Sequence, residues 1–134
     1  MPRALVLLSP WVDLGMAGES VRTRAEIDPW INLRMLEDMR AHYLGEVETI
    51  PRLASPLEAD LSGLPPMLVH VGDHEILLSD SQRLCERATA AGVAAELFVG
   101  EELWHVWHLF APALPEANEA LARIGAYVDG CFVS

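Results

Sequence analysis

Two runs of this sequence end alike, and together they restrict the chain to very few folds. Residues 64–81 read LPPMLVHVGDHEILLSDS: residues 67–71 have the aliphatic make-up of a buried strand. Gly72 breaks that strand, the cluster Asp73-His74-Glu75 follows, and a helix opens at Ile76. Residues 94–99 read as a second strand, and the loop after them carries His105 between Trp104 and Val106-Trp107. An acid and a histidine therefore leave neighbouring strands at one edge of a sheet. In an open α/β sheet that edge gathers ligands and chemistry, because its loops vary while the strands hold them in place.

The rest of the chain supplies matching elements. Residues 3–8 form a continuous aliphatic run ending in Ser9-Pro10, as expected of a parallel strand buried on both faces. Such a strand needs neighbours on both sides. A polar stretch with Gly15, Gly18, Glu19 and Ser20 precedes a helix whose expected N-cap is Asp28, with Pro29 at its first position. Ile31, Leu33, Met35, Leu36, Met39 and Tyr43 recur along it at mixed helical spacing, and Gly45 stops it. Residues 47–66 are a loop punctuated by prolines, long enough to cover something.

The helix of residues 76–91 buries Leu77, Leu84, Cys85, Ala88 and Ala91, with Gly92 as its terminator. A last helix from Pro115 turns Ala117, Ala120, Leu121, Ile124, Tyr127 and Val128 inward. The order predicts an α/β fold of three parallel strands with flanking helices and a helical insertion, in one domain of 134 residues.

Composition narrows the partners. A formal net charge of −11 with nine scattered basic residues argues against nucleic acid and against an anionic membrane surface, both of which demand clustered Lys and Arg. No run reaches transmembrane length, and the opening MPRALVLLSPW is too short in its apolar part for a signal core. Cys85 and Cys131 lie in helical patterns, as buried thiols of a reducing compartment do. A cytoplasmic protein is expected, and nothing calls for a cofactor.

Several uncommon strings then agree. SPWVDL, DPW at the start of the insertion, YLG, ASPLEADLSGLPPMLVHVG, HEILLSDS and LWHVWHLFAP, in that order, resemble the C-terminal part of the hormone-sensitive-lipase-like group of α/β-hydrolase esterases. The resemblance runs over essentially the whole chain. It implies a serine hydrolase with a triad in the order Ser, acid, His. The acid falls in a Gly-x-x-acid-x-Leu context, at Glu75 between Gly72 and Leu77, and the histidine is His105. Residues 16–50 would form part of a cap over the substrate cleft, with Trp104, Trp107, Phe110 and Met39 as candidates for an acyl pocket.

The chain also departs from that pattern. No Gly-x-Ser-x-Gly is present: Gly18-Glu19-Ser20-Val21-Arg22 lacks the second glycine, and Ser62-Gly63 sits in a loop. The His-Gly-Gly-Gly oxyanion loop is missing too. The expectation is therefore the second half of a carboxylic ester hydrolase, from a truncated reading frame or an engineered piece. Such a half supplies acid and base without a nucleophile and is inactive alone.

Plainer readings stand beside these. Glu75 alternatively favours the positive end of the following helix, and Asp73 and Asp80 compete with it as the acid. His105 is alternatively an ordinary packed histidine, and the aromatic residues and Met39 are core as readily as pocket. A metal site can be drawn from His108, His105, His74 and Asp73, but its spacing matches no known geometry, and no metal is expected. The rival function is a non-catalytic module that self-associates through the open edge of its first strand into a homo-oligomer.

Overall fold

In the computed structural model, which describes residues 2–133, the aliphatic runs form a single parallel sheet. Strands β1 (Leu5–Leu8), β2 (Met67–Gly72) and β3 (Ala95–Gly100) lie in the order β1-β2-β3. Leu5 pairs with Met67, Met67 with Ala95 and Gly72 with Gly100, so all three strands end at nearly the same level. Position in the sheet explains composition. β2 is central and buried along its whole length, whereas β3, at one end, exposes Glu96, Leu97 and Val99.

Among the described residues four helices join the sheet: α1 (Ser20–Thr23), α2 (Leu33–Leu44), α3 (Leu78–Ala90) and α4 (Pro115–Val133), with short 3-10 turns at Pro56–Glu58 and Trp107–Phe110. Met67 and Val69 of β2 pack against Leu84, Cys85 and Ala88 of α3, and Val12, Leu57 and Leu61 close that core. Val21, Ile31 and Leu36 seat the insertion on Ile76 and Leu77, at the entry to α3. Ala117 and Ala120 of α4 seat the loop after β3 through Leu103 and Trp107. Among the described residues no helix is long and apolar enough to cross a membrane.

Three details differ from expectation. The insertion helix starts at Leu33, capped by the Asn32 side chain, which accepts the Met35 N–H at 3.0 Å. Asp28 instead shapes the preceding turn: its Oδ1 accepts the N–H groups of Trp30 and Ile31, and its Oδ2 accepts the Ile76 N–H at 2.8 Å. On α4, Leu121 is exposed, because β3 ends the sheet and offers nothing for it to cover. Ser20 is a joint: its hydroxyl donates to the Ile76 carbonyl at 2.7 Å and accepts the Ser79 N–H.

The tips of β2 and β3 are fastened together. Asp73 N–H donates to Gly100 O at 3.0 Å and His74 N–H to Leu103 O at 3.1 Å. A Cβ on Gly72 would come within 2.1 Å of the Leu103 carbonyl oxygen, so only glycine admits this approach.

Candidate active site

Glu75 is 0% exposed, at the first turn after β2. A carboxylate so placed needs a donor for each oxygen. Oε1 accepts the Gly72 N–H and the Ser9 hydroxyl, each at 2.6 Å, and Oε2 faces His105 Nδ1 at 3.0 Å. A carboxylate only accepts, so the proton on this contact belongs to Nδ1, which leaves Nε2 as the imidazole's accepting nitrogen. The His105 side chain is 23% exposed and that of Glu75 0%, so the pair is dry at the carboxylate and open at the imidazole.

The insertion holds the acid loop from the other side. Arg24 Nε donates to the Asp73 carbonyl at 2.8 Å, and the Asp28 contact to Ile76 N–H grips the following residue but two. Both contacts bracket Glu75, whose placement thus depends on β1, β2, the insertion and the loop after β3 together.

The other carboxylates have different partners. Asp80 Oδ2 accepts the N–H groups of Val12 and Asp13, both at 2.9 Å. Burial pushes Asp80 up to about 6, against the lowering effect of those donors. Asp73 lies 3.9 Å from His74, its neighbour in the chain. The carboxylate that meets His105 is that of Glu75.

The aromatic residues separate. Trp104 and Phe110 meet edge to face at 5.4 Å and, with Pro29 and Trp30 of the insertion, line an open apolar hollow of about 370 Å³. Trp30 stands edge-on to the His105 ring at 6.2 Å, so this hollow adjoins that imidazole. Trp107 does not line it. It is 0% exposed, packed with Leu103, Ala117 and Ala120, because the 3-10 turn it begins faces α4. Met39 does not line it either. It is half exposed on α2, in a separate hollow with Trp11, Leu14, Tyr43 and Leu53.

His108 turns away from His105: its Nε2 lies 3.1 Å from Nδ1 of His70 on β2. Burial lowers both imidazoles, with the neighbouring ring and Arg123 as further causes for His70, which falls to about 4. Among the described residues no three His, Cys, Asp or Glu side chains converge as a metal ion would require.

Ser9 and Trp30 join the site without having been among the residues expected there. A polar residue directly after β1, one step short of the level of Gly72 and Gly100, marks Ser9 as lying at the same edge. Trp30, beside Asp28-Pro29, carried no signal of which way the turn would aim it.

An α/β-hydrolase fold family model matches residues 1–109. An acetyl-hydrolase of Streptomyces hygroscopicus is 38% identical over 128 residues, covering 96% of this chain and 43% of that protein. An esterase of Acinetobacter venetianus is 38% identical over 95% of this chain and 42% of its own length. The chain thus spans less than half the length of these relatives. It belongs to the α/β-hydrolase family.

Solved structures narrow the group. An esterase of the bacterial hormone-sensitive lipase family superposes with a TM-score of 0.92 at 50% identity, over 95% of this chain and 43% of that one. The esterase EstE5 superposes with a TM-score of 0.96 at 40% identity, over 100% and 45%. Within the α/β hydrolases, the chain is of the hormone-sensitive-lipase-like esterase group.

Proposed function

We propose that this chain supplies the acid and the base of a serine carboxylesterase, Glu75 and His105, to a nucleophile and oxyanion donors carried elsewhere. The observation that carries the reading is the 3.0 Å contact between a fully buried carboxylate and a part-exposed imidazole. A serine hydroxyl near neutral pH is a poor nucleophile until a base takes its proton. His105 Nε2 receives that proton while Glu75 holds the ring's tautomer and stabilises the imidazolium. The same nitrogen then returns the proton to the leaving alcohol, and a water activated in the same way releases the acid.

The chain by itself is inactive in this reading, since each missing oxyanion donor alone costs roughly 3–4 kcal/mol of barrier. Its own serines at hand are committed. Ser20 is buried and donates to a carbonyl, and Ser9 donates to Glu75 rather than facing a base.

The substrate is a small ester with an apolar chain of short to medium length. Support comes from the hollow of Pro29, Trp30, Trp104 and Phe110 beside His105, whose volume lies at the lower end of ligand pockets. Residues 16–50 act as part of a cap, since Trp30 closes one wall of that hollow. Both cysteines are free thiols, and burial pushes Cys85 up to about 11, which is consistent with a cytoplasmic setting.

The test is complementation. The chain is co-expressed with the N-terminal portion of a related esterase, and p-nitrophenyl ester cleavage is compared for wild type, His105→Ala and Glu75→Gln. Activity that returns with the wild type and vanishes with His105→Ala supports the reading; activity that survives His105→Ala overturns it. Stoichiometric labelling of the lone chain by a fluorophosphonate would overturn the inactivity.

A second reading, self-association through β1, has that strand's place at the end of the sheet and its half-buried side chains in its favour. Sedimentation of the chain across a dilution series tests it, a concentration-independent monomer being the contrary result.

A further inference from the structure

We infer that Ser9 is a positioning residue: its hydroxyl ties the buried oxygen of Glu75 to the backbone just after His105 and so sets the acid–base geometry. This rests on the reading of Glu75 and His105 as a working pair.

Three observations converge on that hydroxyl. It donates to Glu75 Oε1 at 2.6 Å, and it accepts the Val106 N–H at 3.1 Å. Its one proton is committed to Glu75 and one of its two lone pairs to the Val106 N–H, so another side-chain rotamer would lose both contacts. Ser9 and Val106 also both sit in the left-handed backbone region, at φ 48° and 49°, where non-glycine residues are rare. Strain of this kind persists only where surrounding contacts over-determine it, and here the two strained residues bond to each other. Finally, Ser9 is 4% exposed, at the end of β1, so one group links the exits of all three strands.

The chemistry follows from the carboxylate's geometry. With only the Gly72 N–H on Oε1, the Glu75 carboxyl can swing about its last bond and present either oxygen to His105. The Ser9 donor fixes Oε1, and Oε2 is left aimed at Nδ1. The Val106 contact holds the imidazole's end of the same pair. Ser9 touches no reacting atom in this scheme and acts wholly through Glu75 and the loop.

A titration of the His105 imidazole by NMR separates this role from plain packing, using the chain as wild type, Ser9→Ala, Glu75→Gln and the double variant. Ser9→Gly runs in parallel, because glycine accepts the left-handed conformation and keeps the turn while removing the hydroxyl. The expectation is a His105 midpoint displaced by roughly half a pH unit or more in both Ser9 variants, and no further displacement when Ser9→Ala is added to Glu75→Gln. Val106 amide exchange should quicken in both Ser9 variants. A midpoint unmoved by either Ser9 variant, or moved equally with and without Glu75, overturns the role of Ser9. A midpoint unmoved by Glu75→Gln would instead remove the pair on which the inference stands.

Discussion

The loop after β3 contains the same dipeptide twice, Trp104-His105 and Trp107-His108, and the two copies have opposite fates. In the first, the indole lines an open hollow and the imidazole meets a buried carboxylate. In the second, the indole is sealed against α4 and the imidazole meets another imidazole on β2. Val106, in its left-handed conformation, is the pivot between them. Residue type therefore decides little here. What lies opposite each ring decides whether it meets a buried carboxylate at an open hollow or a second imidazole in the core.

The contrast can be broken by experiment. The largest effect expected is on catalysis: in the complemented esterase, His105→Ala should lower kcat by roughly 10⁴-fold or more, while His108→Ala leaves it within an order of magnitude. Comparable losses from both would erase the distinction. Stability should divide the tryptophans the other way round. Trp107→Ala is expected to cost about 3–5 kcal/mol in urea unfolding, against less than about 1 kcal/mol for Trp104→Ala.

Acid should sharpen the difference. His70 is held neutral by burial, its folded value near 4 lying below the ordinary 6.5, so the unfolded chain binds more protons in between. Its contribution is complete above about pH 6.5 and is lost as pH falls toward 4, by up to about 3 kcal/mol. Asp80 works in the opposite sense: raised to about 6, it takes up a proton in the folded state first, and folding gains as pH falls from there toward 3.8. The difference between wild-type and His70→Leu stability curves isolates the histidine. A difference that is flat from pH 7 to 4 would show that the inner pair is not held neutral. The smallest effect concerns the hollow: Trp104→Ala should lower kcat/KM for a hexanoyl ester by about tenfold and for an acetyl ester by less, since each methylene lost from an apolar wall is worth about 1 kcal/mol. Equal losses for both chain lengths would put the acyl group elsewhere.

Much of the frame could be read from residue order. An unbroken aliphatic run with a glycine at its end marks β2 as a buried parallel strand, and the strand ends locate the Asp73-His74-Glu75 cluster and His105, while the choice of Glu75 within that cluster came from the family resemblance. Apolar residues recurring at the spacing of one helical face likewise mark the inner face of α3. What escaped depends on tertiary aim. Asp28 has the sequence of a helix cap but spends its carboxylate on a turn and on Ile76 N–H. Met39 and Trp107 are as apolar as Trp30 and Phe110, and only the path of the loop and of α2 separates pocket from core and surface. Leu121 keeps helical spacing with Ala117 and Ala120, yet the sheet has run out beneath it. Ser9 carries a hydroxyl whose partners, Glu75 and Val106, are remote in sequence.

The missing side chain at Gly72 has a reach beyond its own position. Because the Leu103 carbonyl occupies the space a methyl would need, and Leu103 also crowds Gly100, the two tips form one mechanical part. Variation in length or sequence on one side must be absorbed on the other. Anyone transplanting this acid into a different scaffold would have to carry the histidine's turn along with it, as a single casting.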